Sequence, residues 1–151
     1  AVKFIKRIKK GHLGAGRLYL LVFHETQFIF QCAKHVSTIS TNHLINHHDI
    51  PKDDFRKVLG EAESALSAFI ESVAKSIEGM NFDDEKAQQE QYRKLQELVR
   101  QNLDLLIQKI QLDEVGNRMG QLQVQLLLGI QDVATGVHQI RTLFTDYARQ
   151  K

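Results

Sequence analysis

The chain has 151 residues, of which 42% are hydrophobic and 25% are charged, and its formal net charge is +2. This length suits one domain with a buried core. So small a charge argues against a nucleic-acid-binding protein, which usually presents a concentrated basic face. The single cysteine, Cys32, excludes an internal disulfide and favours a reducing compartment. No apolar run reaches the ~18 residues that a membrane helix requires, and no signal-peptide pattern is present.

The first ten residues read as the last turns of a helix, because Val2, Ile5 and Ile8 share one face. Glycines in 11–16 then break the pattern. Two interpretations of the basic side chains stay open: a solvated helix end whose cations complement the helix dipole, or a surface that contacts anionic lipid. The basic residues are Lys3, Lys6, Arg7, Lys9 and Lys10. Since the chain lacks an initiator Met and opens inside a helical pattern, we expect a fragment of a longer protein.

Four long amphipathic helices follow, at 15–43, 52–78, 84–111 and 115–147, because apolar residues recur every three or four positions in each. Gly79 is a stop signal for the second of these helices. The first two turns of the third, 85–91, are very polar, and we expect them to project from the protein. Short loops between long helices predict an all-α, antiparallel up-down bundle without a sheet, formed by one domain over 1–151.

A carboxylate interrupts the apolar seam of helix 15–43. The seam consists of Leu18, Val22, Glu25, Ile29, Cys32, Val36 and Ile39. A buried carboxylate costs several kcal/mol unless it is paired. Glu25 can therefore rotate to the helix boundary, form a polar layer at the core or at an interface with His35 or His138, or ligate a metal.

Two further groups of residues suggest chemistry only weakly. His43 and His47 are four apart and could share a helix face near His48 and Asp49, which would make a weak zinc or nickel site. Capping of a helix C-terminus is the alternative role for these histidines. We interpret Cys32 as a small buried hydrophobe and Asp132 as a surface or boundary residue. The sequence predicts no catalytic residue and no cofactor.

A possible internal repeat links the two ends of the chain. Segments 4–14 and 106–116 share Ile, Ile and Gly at identical spacing, and each precedes a long helix. His35 and His138 then follow at similar distances. The shared break is harder to attribute to chance than the periodicity.

These residues carry a resemblance to a known family. The order of "Ile-Lys-Arg-Ile-Lys-Lys-Gly", a turn and "Leu-Tyr-Leu-Leu-Val-Phe-His-Glu-Thr" resembles the PhoU-like helical domain. Segment 10–40, with the later Asn-His and Asn-His-His, is similar to the C-terminal cytoplasmic region of bacterial phosphate transporters of the PiT type. Segment 107–144 resembles the last helix pair of that region.

The resemblance implies regulation of phosphate uptake by contact with a transporter or a signalling partner. Many PhoU-like domains bind multinuclear metal clusters through a Glu/Asp-x-x-x-Asp motif just before a His. When His35 and His138 are placed at that His, the carboxylate positions hold Phe30, Lys34, Val133 and Val137. Because these side chains are poor ligands for a hard cation, we expect the metal clusters to be lost.

The sequence therefore predicts a non-enzymatic regulatory or accessory domain of an inorganic phosphate transporter, at the cytoplasmic face of the bacterial inner membrane. Its expected partner is the membrane domain of the transporter or a second copy of itself, and no nucleic acid. The alternatives are a stand-alone PhoU-type signalling regulator and a structural dimerising helical module.

Overall fold

The computed structural model describes residues 13–150, which form four α-helices and, within that range, no strand. The helices are α1 (Leu13–Ile45), α2 (Asp53–Gly79), α3 (Glu85–Gln111) and α4 (Asn117–Arg149). The chain is an all-α bundle, as the apolar periodicity predicts. The basic residues of the first ten positions, and most of the first copy of the possible repeat, lie outside the described residues.

Helix α4 is the centre of the fold, because it packs against each of the other three helices. Helices α2 and α3 also pack against each other, so α2, α3 and α4 enclose the main hydrophobic core. Its buried members are Ala62, Leu95, Val99, Leu106, Leu127, Ile130 and Ala134. A second cluster joins Phe69 and Val73 of α2 to Val137 of α4. Helices α2, α3 and α4 thus share one core, and one side of α4 faces away from that core.

Helix α1 covers that remaining side and runs antiparallel to α4. Gly14 near its start lies beside Tyr147, while Val36 near its end lies beside Gly129. The seam residues of α1 predicted from sequence are all half-buried, and α1 makes no extended contact with α2 or α3 within the described range. The bundle is therefore a three-helix core with a fourth helix attached to one face of its central helix.

Three helix ends share one backbone motif. His47, Met80 and Asp113 adopt the left-handed conformation, with φ of 54°, 48° and 56°. In each case their amide and the next one bond back to carbonyls of the last helical turn, which satisfies otherwise orphaned acceptors. Gly79 was expected to stop α2, but it is the last helical residue, and the left-handed position falls on Met80.

The prediction that the first turns of α3 project from the bundle is wrong. Gln88 is only 1% exposed, and its side-chain amide donates to the carbonyl and hydroxyl oxygens of Ser72 and to the hydroxyl of Ser76. A polar residue can be buried here because α2 presents hydroxyl acceptors opposite it. The polar sequence of the first turns of α3 does not by itself indicate that α2 offers acceptors for Gln88.

Candidate functional site

The contact between α1 and α4 depends on two glycines of α4. A Cβ atom at Gly136 would lie 2.5 Å from Ile29 Cγ1, and one at Gly129 would collide with Val36 Cγ2. Gly within a helix costs about 1 kcal/mol relative to Ala. The close approach of α1 explains why α4 nevertheless has Gly at both positions. These glycines, seven residues apart, set how closely α1 can seat. Their positions inside a long helical pattern were a signal that the sequence reading missed.

One flank of α1, rotated by about 100° from its seam, carries an exposed stripe that no described helix covers. Phe23 and Phe30 are 45% and 66% exposed, and they lie seven residues apart on one helical face. One exposed residue lies between them on this face, and two more extend it toward the C-terminal end of α1. We call this surface the outer stripe: Phe23, Thr26, Phe30, Ala33 and Ser37.

A narrow groove of about 320 Å³ lies along the other edge of the contact between α1 and α4. Cys32, His35 and Asp132 all line it. The pKa of the Cys32 thiol is raised, first by burial and then by the charge of Asp132, so the thiol keeps its proton. A protonated thiol is a weak nucleophile, and the groove therefore does not resemble a cysteine active site.

Glu25, His35 and His138 do not form a polar layer together in the described structure. Glu25 is half-buried on the α1 seam, and neither a hydrogen bond nor an ion pair joins it to either histidine within residues 13–150. His35 lines the groove, whereas His138 stacks on Tyr92 of α3. A role of Glu25 or His35 at an interface stays a prediction.

His43 and His47 do not share a helix face, since α1 ends at Ile45 and His47 adopts the left-handed conformation. His43 is buried, and its Nε2 donates to the carbonyl oxygen of Asp49 at 2.8 Å. Its imidazole thus ties the α1–α2 loop to α1. Within the described residues, no group of three or more His, Cys, Asp or Glu side chains is placed to hold a metal ion.

The four positions that the sequence resemblance aligns with metal-binding carboxylates have other surroundings here. Val133 and Val137 pack against Phe69 and Val73 in the second core cluster. On α1, Phe30 belongs to the outer stripe, and Lys34 is exposed. The α4 pair therefore contributes to the hydrophobic core.

A buried polar cluster, missed by the sequence reading, lies where α4 passes the start of α3. Arg141 is 3% exposed, and its Nη1 lies 3.9 Å from Glu85 Oε1. The other carboxylate oxygen of Glu85, Oε2, binds Arg149. The Nε and Nη1 atoms of Arg141 have no hydrogen-bond partner among residues 13–150. Burial lowers the pKa of Arg141, although the charge of Glu85 opposes that shift.

His138 is part of the same region. Its ring lies 4.3 Å from the ring of Tyr92 with an interplanar angle of 5°, and its buried Nδ1 has no partner in the described structure. The Tyr92 hydroxyl lies 3.1 Å from the hydroxyl of Thr135. Burial, followed by the charge of Arg141, lowers the pKa of His138. The folded protein therefore favours the neutral imidazole.

This environment predicts a stability that depends on pH through His138. Because its pKa is lower in the folded protein, the unfolded chain binds the proton more readily, and stability falls as pH drops below about 6.5. The variant His138→Phe keeps the ring stack and removes the titration. Urea unfolding at about pH 7.5 and about pH 5.5 should show a smaller loss for the variant than for the wild type.

The matched control is His24→Phe, at an exposed position of α1. It should lose as much stability as the wild type between the two pH values. If His138→Phe and His24→Phe behaved alike, the buried imidazole would not be the titrating group.

No protein-family model, no curated protein and no solved structure matches this chain. In the part of the chain that the structure covers, none of the helices is both long enough and apolar enough to cross a membrane. The outer stripe of α1 is therefore the surface from which a function can be argued.

Proposed function

We propose that this chain is a non-enzymatic regulatory or accessory domain that binds an inorganic phosphate transporter at the cytoplasmic face of the bacterial inner membrane. The observation that carries the proposal is the outer stripe, with Phe23 and Phe30 exposed on a helix that packs mainly against α4. The sequence resemblance to the cytoplasmic region of PiT-type transporters supports the choice of partner.

The attachment of α1 supports a role in partner binding. A helix in the middle of a bundle buries its apolar residues against several neighbours, whereas α1 buries a single seam. Covering an exposed Phe side chain contributes about 1.5–3 kcal/mol, and aromatic residues are enriched at the centres of protein interfaces. Two phenylalanines one heptad apart suit a partner helix laid along α1.

The described chemistry supports a non-enzymatic role. The Cys32 thiol is held protonated by burial and by Asp132. Covalent catalysis requires a nucleophile activated by a neighbouring base or by a lowered pKa. The surroundings of Cys32 instead raise the pKa of its thiol.

The test is phosphate uptake by bacterial cells that express this chain together with a PiT-type phosphate transporter. The double variant Phe23→Ser/Phe30→Ser should alter the uptake rate and reduce co-purification of the domain with the transporter about tenfold or more, because two interface anchors are lost. Leu112→Ser is the control, since Leu112 is 70% exposed but lies after α3, outside the stripe.

Unchanged uptake and co-purification in the stripe variant would contradict the proposal. Loss of self-association in the variant, measured by sedimentation and without any effect on uptake, would favour the dimerising module. Stoichiometric iron or zinc in the purified protein would favour a PhoU-type signalling regulator.

A further inference from the structure

A cavity lies at the end of the bundle where α2 and α4 begin and α1 and α3 end. Its volume is about 740 Å³, within the ~300–1,000 Å³ range of small-molecule and cofactor pockets. Much of its wall is apolar, contributed by Ile50, Phe55, Val58, Leu105, Val115 and Met119. This combination of size and apolar wall is typical of a site for a small organic molecule.

One polar wall residue has little exposed surface and no hydrogen-bond partner among the described residues. Gln123 lines the cavity and is only 4% exposed, yet its side-chain amide makes no hydrogen bond with the described part of the chain. Gln88, the other deeply buried glutamine, has three acceptors for its amide. A ligand in the cavity would supply the partners that Gln123 lacks.

The start of α4 is the second polar feature of the wall. Asn117, Arg118 and Met119 occupy its first turn and line the cavity. Gly116, at the N-cap, offers no side-chain cap, and the first turn has no acidic residue. The positive end of a helix dipole normally attracts an acidic side chain, so Arg118 at this position favours an anion from outside the chain.

The other charges of the wall limit how strongly an anion would bind. Asp54 is neutralised by Lys109 at 3.0 Å, and this contact lowers the pKa of Asp54. Lys52 and Arg118 then face the carboxylates of Asp49 and Glu114 around the same cavity. Charge alone is nearly balanced, so the apolar wall and Gln123 must contribute to affinity, and a bare anion would bind poorly.

We propose that this cavity binds a small organic phosphate, with the phosphate group at the first turn of α4 beside Arg118, the apolar or aromatic body against Phe55 and its neighbours, and a polar edge at Gln123. The site is separate from the outer stripe, so the proposal does not depend on the function proposed above. Nucleoside monophosphates are suitable probes, because they combine these three features in one molecule.

The test is isothermal titration of the 151-residue chain with AMP, GMP, CMP and UMP, and with adenosine and inorganic phosphate alone. At least one nucleotide should bind with a Kd of about 1 mM or tighter. Adenosine and phosphate should each bind about tenfold more weakly or worse. In NMR spectra, the amides of Asn117, Arg118 and Met119 should shift on binding.

The variants separate binding from folding. Gln123→Met should weaken binding about tenfold or more while stability is kept, since the amide makes no hydrogen bond to the described residues that the change would break. Arg118→Gln should weaken nucleotide binding similarly, whereas the exposed Arg93→Gln, on α3, should not. The proposal would be overturned if none of the four nucleotides bound, if phosphate alone bound as tightly as the best nucleotide, or if Gln123→Met left the Kd unchanged.

Discussion

The double replacement Gly129→Ala/Gly136→Ala should lower the free energy of unfolding by about 2 kcal/mol. Each new methyl group would overlap a side chain of α1, Val36 or Ile29, and overpacking of this kind costs about 1–3 kcal/mol per site. The gain in helix propensity from Gly to Ala, about 1 kcal/mol per site, offsets part of that cost. Urea unfolding gives the total, and amide hydrogen exchange locates it.

The loss should be concentrated in α1. Because α1 packs mainly on α4 among the described helices, its amides should lose protection while those of α2 and α3 keep theirs. Gly60→Ala is the control, since a Cβ atom there would meet nothing within 4 Å, and it should raise stability by about 0.5–1 kcal/mol. Adding Val36→Ala to Gly129→Ala should recover part of the loss, and additive effects of the two changes would exclude the proposed collision.

The replacement Arg141→Met should raise the free energy of unfolding by about 1–2 kcal/mol. Arg141 is buried with two nitrogen atoms unpartnered in the described structure, and burial of an incompletely paired charge is costly. Methionine fills similar space without the charge. Glu85 would not be left alone, because Arg149 binds it at 2.5 Å.

The matched control is Arg93→Met, which removes an exposed guanidinium paired with Glu90. Exposed pairs contribute little, so its stability should stay within about 0.5 kcal/mol of the wild type. A loss of more than about 1 kcal/mol in Arg141→Met would show that the buried guanidinium is satisfied in solution, for example by water or a bound anion.

The fold class followed from local patterning. Apolar steps of three and four placed every described helix within two residues of its observed bounds, because a helix that buries one stripe must repeat it at this period. The α1 seam through Val22, Ile29 and Val36 was predicted for the same reason, and it is half-buried against α4.

The sites were less accessible to sequence reading. Gln88 was expected to be exposed and Arg141 was not singled out, because their burial depends on acceptors and charges that α2 and α3 bring from distant parts of the chain. Glu25 and His35 were candidates for a polar layer because they are polar residues near an apolar seam. Neither of them is paired with His138 in the described structure.

The sequence by itself determined four amphipathic helices, their lengths and the seam on each, since these depend on periodicity within one segment. Only the tertiary structure decided that α4 is central and that α1 packs mainly on it, which leaves Phe23 and Phe30 exposed. It also decided that two loops and four helix ends enclose a cavity around Gln123. Such features arise from contacts between segments far apart in the chain, and local periodicity carries no information about which faces meet.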